Sequence, residues 1–404
     1  MSRPRLLVVA STYPAQTGDG VPAFVRDLAE REAQAFETLV VVPRIPGAPR
    51  VSLDGPLRVR RFAYFPSRWE DLADGAILEN LRARPWRWLQ VPGFFLAEVV
   101  AVRRAVRRFR PDVVHAHWIV PQGLVMLAVP RRIPVLLTTL GGDLYALGSG
   151  PAKMLKARAV ARAAHVTVMN ADMRRRVVDL GADPDAVSLL PMGADLQSVR
   201  RREPGARSRR LLFVGRLVEK KGLGVLLDAL RRLPDDERWP LLVVGDGPER
   251  GALEAAAAGL DVTFAGQLGR PDLMSAYAES DIAVFPSVVA PSGDQDGLPV
   301  ALLEAMAAGC AVVVSDLPGL DEAVRDGVSG VVVPSGDAGA LAEALRALGG
   351  AEDRRDALGR AAEQSAEGYS ADAVGGLYRQ VLLGILDQPA DGSGRAAGLR
   401  ATST

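Results

Sequence analysis

Two stretches of this sequence combine residue types suited to a phosphorylated ligand. The first is Val214-Gly215-Arg216-Leu217-Val218-Glu219-Lys220-Lys221-Gly222. It follows a short apolar run and opens a helical pattern, so Gly215 permits a sharp strand-to-loop turn. Arg216 and Lys221 then project from a loop at the carboxyl edge of a sheet. Two cations there can neutralise a diphosphate, arginine in bidentate fashion and lysine as a point charge. The chain uses 45 Arg but only 4 Lys, and two of those lysines are adjacent here. Taken alone, the loop also reads as a solvated charged turn.

The second stretch runs Asp296-Gly297-Leu298-Pro299 and on through Glu304 to Gly309. Pro299 suits the first turn of a helix and Gly309 its end. Glu304 is the only ionisable residue within that helix, and burying it is costly unless something pairs with it. The vicinal hydroxyls of a ribose would do so, since an ionised carboxylate accepts several hydrogen bonds. Free amides at the helix start, at Gly297 and Leu298, suit a phosphate or a developing anionic oxygen. Asp296, just outside, reads in isolation as a neighbour of the helix cap.

Elements that could hold these groups alternate along the chain. In the first half, β-branched runs at Leu6–Ala10, Leu39–Val42, Val113–Val114, Val135–Thr139, Val166–Met169 and Val187–Leu190 are separated by helical patterns. Those patterns cover Val21–Phe36, Phe94–Phe109, Lys153–Ala164 and Met173–Leu180. Such alternation predicts a parallel sheet covered on both faces. An Arg-rich stretch over 197–210, with Pro204 and Gly205, reads as a linker. The pattern then restarts over 211–370 as a second doubly wound α/β domain. A last helix is expected over 371–388 and a disordered tail over 389–404. The first domain is thus 1–196, and ligands are expected in the cleft between the two domains, near the carboxyl ends of their strands.

Composition excludes other classes. One cysteine, Cys310, rules out a disulfide scaffold or a cysteine metal cluster, and packing among small residues makes it inert. Three histidines are too few for a histidine-rich metal site. The apolar run after Arg3-Pro4-Arg5 is too short for a secretory leader and suits a first strand. No stretch reaches the roughly 18 apolar residues of a spanning helix, so the expected location is cytoplasmic. The net charge is +1, but residues 1–200 hold 28 basic and 18 acidic side chains, a net of +10, against −9 for the rest. This split argues against a nucleic-acid binder.

The order Gly-Arg-Leu-x-x-x-Lys-Gly, then an acidic residue, seven others, Glu and Ala-Met-Ala-x-Gly resembles the retaining family 4 glycosyltransferases. The likeness extends over nearly the whole chain. It includes Tyr13-Pro14 with Gly18-Asp19-Gly20, Asp112-Val113-Val114-His115-Ala116-His117, Pro191-x-Gly193-x-Asp195, Gly245-Asp246-Gly247-Pro248, Asp281-Ile282-x-Val284-x-Pro286-Ser287 and Asp326-Gly327-x-x-Gly330. The resemblance implies a GT-B architecture of two facing Rossmann-like domains, the last helix crossing back to the first. It implies that the second domain binds a nucleoside diphosphate sugar, UDP- or GDP-linked, and the first an acceptor hydroxyl on a glycolipid, saccharide or small metabolite. By motif position, Arg216 and Lys221 hold the diphosphate, Glu304 the ribose and Asp296 faces the hexose. Gly20 closes over the phosphates, Gly215 belongs to the donor site, and the base lies near Gly245, Gly266 and Gln267. Transfer would retain anomeric configuration, with no cofactor and no metal. His117 and Asp143 fall on the acceptor side.

Three positions depart from the family pattern. Asp296 replaces a glutamate, Asp19 replaces the first of paired glycines, and Leu140 stands where His precedes Gly-x-Asp. Two alternatives stay open: a nucleotide-sugar epimerase of the same fold, which could use the same two-domain cleft, or a non-catalytic nucleotide-sugar-binding protein, which the missing histidine favours. Gly245 to Gly251 imitates a dinucleotide fingerprint, but its last glycine is one residue late and Pro248 removes an amide. Asp294-Gln295-Asp296 spells a metal-binding Asp-x-Asp, yet the loop cations already supply positive charge. His115 and His117 read equally as structural histidines or acceptor contacts. Finally, Asn80–Arg110 couples Trp86, Trp88, Phe94 and Phe95 with Arg103, Arg104, Arg107 and Arg108. It reads as a helix covering the first sheet with solvated arginines, or as a peripheral contact with an anionic membrane.

Overall fold

In the computed structural model the β-branched runs form two separate sheets. The structure describes residues 3–15, 23–74, 77, 80–81, 84–145, 150–202, 208–291, 293 and 295–387. The chain divides into one unit of residues 1–192 with 374–404 and another of residues 193–373. The expected tail, 389–404, and positions 203–207 of the expected linker lie outside the described residues.

Among the described residues, eight strands build the first unit: β1 (Arg5–Val9), β2 (Glu37–Pro43), β3 (Val51–Asp54), β4 (Leu57–Phe62), β5 (Val113–His117), β6 (Val135–Thr138), β7 (His165–Val168) and β8 (Val187–Leu189). Their order is β3-β4-β2-β1-β5-β6-β7-β8, parallel except for the β3/β4 edge pair. Helices α1 (Phe24–Glu32), α2 (Gln90–Phe109), α3 (Gly142–Tyr145), α4 (Gly150–Arg162) and α5 (Ala171–Asp179) accompany them. Sequence patterning missed β3 and β4, because Arg58, Arg60 and Arg61 interrupt the apolar run. It also truncated β5 at Val114, whereas His115, Ala116 and His117 continue the strand and are fully buried.

Six parallel strands build the second unit: β9 (Leu211–Val214), β10 (Leu241–Val244), β11 (Val262–Gly266), β12 (Ile282–Phe285), β13 (Ala311–Ser315) and β14 (Val331–Val333). Their order is β11-β10-β9-β12-β13-β14. Helices α6 (Leu223–Arg232), α7 (Arg250–Ala256), α8 (Arg270–Ala278), α9 (Val300–Ala307), α10 (Leu320–Ala323), α11 (Ala338–Gly349) and α12 (Glu352–Glu367) belong to it. The first strand, β9, sits mid-sheet, with successive strands leaving it on both sides. That reversal between β9 and β12 opens a crevice at the strands' carboxyl ends, where doubly wound sheets bind ligands.

Two apolar layers sandwich each sheet. In the second unit, Phe213, Leu226, Leu230 and Leu345 pack on one face, and Leu212, Leu302, Met306 and Val312 on the other. A final helix, α13 (Ala371–Asp387), starts in the second unit, but Val374, Tyr378, Leu382 and Ile385 are buried in a cluster of the first with Leu6, Val8 and Val25. Tyr378 Oη donates to the Leu190 carbonyl at 3.0 Å. Among the described residues, no helix is long and apolar enough to cross a membrane.

Candidate functional site

The β9/β12 crevice is built by close backbone approach. Gly222 caps α6 at φ +67°, and a Cβ there would stand 1.8 Å from the Pro286 carbonyl oxygen. Only glycine lets the loop after β9 lie flush against the loop after β12, and the Val288 amide seals the contact by donating to the Lys220 carbonyl at 2.9 Å. A Cβ at Gly245, where φ is +132°, would stand 1.9 Å from the Gly215 carbonyl oxygen. The Leu217 amide donates to the Asp246 carbonyl at 2.9 Å, and that of Gly245 to Gly266 at 2.8 Å. The loops bearing Gly215, Gly245 and Gly266 therefore form one continuous rim, with Gln267 exposed at its end.

Lys221 lies on this rim, its aliphatic stem over Gly215 and its ammonium donating to Asp296 Oδ2 at 2.8 Å. Ser287 Oγ donates to the same oxygen at 2.9 Å, and Lys220 Nζ lies 3.9 Å from Oδ1. Asp296 is 7% exposed, whereas Arg216 is an exposed residue. The structure thus brings two expected residues, Lys221 and Asp296, together at the switch point of one sheet, with Arg216 on the same loop as Lys221. Ser287 and Lys220 were not singled out for this role, although both stand within quoted motifs.

Helix α9 begins at Val300 with Pro299 as its cap, so Gly297 and Leu298 lie in the preceding loop and not at the helix start. Glu304 is 5% exposed and already paired. Arg270, at the start of α8, is ion-paired to Oε1, and Tyr277 Oη donates to Oε2 at 3.0 Å. Burial and the Glu304 charge push the Tyr277 phenol well above its usual range, so it stays a donor. Arg270 also reaches the Asp195 carbonyl at 2.9 Å and Ser198 Oγ at 2.8 Å. The sequence reading missed both partners of Glu304; Gly269-Arg270-Pro271, a cation beside a helix start, was the available signal. Each carboxylate oxygen keeps a lone pair for a further donor.

Gly20 lies outside the described residues, as does Asp294 of the Asp-x-Asp sequence. At the carboxyl end of β5, His115 is wholly buried between Glu32 (Nδ1 to Oε1, 2.7 Å) and Thr138 (Nε2 to Oγ1, 2.7 Å). Burial pushes its pKa down to about 3, so it is a neutral structural group. His117 lies against it with ring centroids 4.1 Å apart and planes tilted by 33°, yet neither of its nitrogens has a hydrogen-bond partner among the described residues. Burial lowers the His117 pKa well below its usual value, and neighbouring His115 adds to that. Asp143 is tied down differently. It accepts from the Ile119 amide at 2.5 Å and from Thr139 Oγ1 at 2.8 Å, which makes it a brace for the β5 and β6 loops. Cys310 is buried, and desolvation raises its thiol to about 12, as expected of an inert residue.

Comparison with known proteins agrees with this fold. The sequence profile described as "Glycosyl transferases group 1" matches residues 208–349, and that described as "Glycosyltransferase Family 4" matches residues 18–198. The D-inositol 3-phosphate glycosyltransferase of Geodermatophilus obscurus is 31% identical over 340 residues, which cover 74% of each chain. The amylovoran biosynthesis glycosyltransferase AmsK of Erwinia amylovora is 34% identical over 182 residues, spanning 43% of this chain and 45% of that protein. Among solved structures, sucrose-phosphate synthase from Thermosynechococcus elongatus superposes with a TM-score of 0.72 at 22% identity, covering 95% of this chain and 100% of that one. HepE from Anabaena, in complex with UDP-glucose, gives 0.65 at 17% identity, covering 94% and 99%. With two doubly wound units, a cationic rim at the second unit's switch point and these matches, the chain belongs to the group 1, family 4 glycosyltransferases and has the GT-B fold.

Proposed function

We propose that this glycosyltransferase moves a hexose from a nucleoside diphosphate sugar, UDP- or GDP-linked, to an acceptor hydroxyl with retention at the anomeric carbon. The observation that supports it most is the Lys221–Asp296 pair at the carboxyl edge of the second unit's sheet, with Arg216 on the same loop as Lys221. The second unit is the donor domain. Arg216 and Lys221 meet the diphosphate, and Glu304 accepts from the ribose hydroxyls. The departing phosphate gains negative charge as the glycosidic bond breaks, and preorganised cations stabilise that charge without metal. Its oxygen takes the acceptor proton on the same face, and no cofactor is needed.

The first unit carries the acceptor, a glycolipid, a saccharide or a small metabolite. Its buried His117, whose ring nitrogens have no hydrogen-bond partner among the described residues, supports this reading, because leaving a polar group unsatisfied costs about 1–3 kcal/mol that a ligand hydroxyl would recover. A thermal-shift panel of UDP-, GDP-, ADP- and TDP-sugars tests the donor. Nuclear magnetic resonance of the product formed with inositol phosphate or saccharide acceptors tests transfer and configuration. Binding of donor with neither transfer nor slow hydrolysis would leave only a binding protein, and inversion would overturn the retaining step.

A further inference from the structure

The outward stripe of α2 is apolar where a helix on a sheet is normally polar. Its inward positions, Phe94, Glu98, Val102 and Ala105, recur at helical spacing and are buried. Its inner face also carries the buried polar residues Gln90 and Glu98: Gln90 Nε2 donates to Asp71 at 2.9 Å and Gln122 Nε2 to Glu98 at 2.8 Å, while Gln90 Oε1 and Glu98 Oε2 have no partner among the described residues. The outer face carries Leu96 at 67% exposure and, one turn further, Val100. Immediately before the helix, the 3-10 turn Pro85–Leu89 exposes Trp86, Trp88 and Leu89, the last at 73%. From Leu89 to Val100 this ridge is about 16 Å long at 1.5 Å per residue. It then gives way to exposed Arg103, Arg104, Arg107 and Arg108.

The neighbouring sheet edge continues the same character. Leu39 and Val41 belong to the core beneath α2, and they stand in register with Arg58 and Arg60 of β4. Those arginines face β3 residues Leu53 and Val51, which are 80% and 66% exposed. Paired residues project from the same side of a sheet. Val51, Leu53, Arg58 and Arg60 therefore share the α2 side.

We infer that this face of the first unit is a docking surface for an anionic lipid bilayer. Its tryptophans and leucines enter the headgroup boundary and its arginines meet the lipid phosphates. The charge pattern selects this occupant. The one acidic residue of α2, Glu98, is buried, and among the described residues Arg104, Arg107 and Arg108 make no ion pair. A second copy of the chain on this face would bring like-charged arginines together.

Flotation of the full chain with vesicles tests this, using phosphatidylcholine alone or mixed with phosphatidylglycerol in equal parts. The wild type should float with the mixed vesicles at low salt, lose binding at high salt as charges are screened, and stay unbound to phosphatidylcholine. Arg104→Glu/Arg107→Glu/Arg108→Glu should weaken binding at least about 100-fold, since each arginine near an anionic surface contributes about fivefold. Trp88→Ser/Leu96→Ser should weaken it at least about tenfold while keeping the salt dependence. Unchanged melting temperatures will show that both variants fold. Absence of flotation at low salt, or equal flotation of both variants, overturns the inference. So does a wild-type dimer in light scattering that Trp88→Ser/Leu96→Ser dissociates, which would assign the face to self-association. None of these readouts requires a sugar donor, so the inference stands or falls separately from the transfer reaction.

Discussion

Lys221 Nζ donates to Asp296 Oδ2 across 2.8 Å, joining the loop after β9 to the loop after β12. A cation expected to meet a diphosphate is thus already matched by a carboxylate of its own unit. The pairing holds the ammonium in place while Arg216 stays exposed. A bound diphosphate would share Lys221 with Asp296, and would keep Arg216 and Lys220 as further cations.

Removing either expected phosphate partner should therefore damage turnover more than folding. Arg216→Ala and Lys221→Ala should each lower turnover about 100-fold or more, the scale of losing one preorganised charge partner. Steady-state rates of transfer, or of donor hydrolysis, check this. Wild-type turnover in either variant would remove these residues from the mechanism.

Arg270 and Tyr277 share the Glu304 carboxylate. Arg270→Ala leaves that buried carboxylate with one fewer donor, and should cost about 1–3 kcal/mol of stability. Donor binding should persist, because Glu304 keeps Tyr277 and gains room for hydroxyls. Glu304→Ala should show the opposite split, with donor affinity lost beyond any change in stability. Denaturant unfolding beside calorimetric titration of the donor separates the two variants.

His117→Phe replaces a buried ring that lacks polar partners with an apolar one of similar size. Its melting temperature should hold or rise, since filling such a site with carbon removes an unsatisfied group. Transfer should fall roughly tenfold, the worth of one hydrogen bond. A variant that keeps full transfer would make His117 structural.

Glu98 has a folded pKa raised to about 8 by burial, opposed by the Gln122 hydrogen bond. Between its ordinary value near 4.5 and about 8, the folded chain keeps a proton that the unfolded chain has released. Unfolding then releases protons, so rising pH favours it, and this contribution to stability declines across that window. Glu98→Gln should flatten the fall in melting temperature between pH 5 and 8, read by circular dichroism. An unchanged slope would show that Glu98 ionises freely when folded.

Much of the architecture was legible from local pattern. Runs such as Leu39–Val42 and Val135–Thr139 became strands to within two residues at each end, because a strand buried on both faces needs an unbroken apolar sequence. The Lys221 and Glu304 segments were legible as sites because charge stood out against small and apolar neighbours. The strands β3 and β4 were hidden, since an edge pair tolerates outward arginines. Helices α7 and α12 were hidden by their mixed composition.

What the sequence alone determined was periodic: two doubly wound halves, their strand seeds, and the loops able to carry cations. Partnership was decided only by tertiary structure. Asp296 meets Lys221 from 75 positions away and Arg270 meets Glu304 from 34, because strand order folds distant loops onto one edge. His115 and His117, two residues apart with similar burial, diverge entirely: one is clasped by Glu32 and Thr138, the other has no hydrogen-bond partner among the described residues. Spacing along a chain sets which face a side chain takes, but only the packed neighbours decide what that face meets.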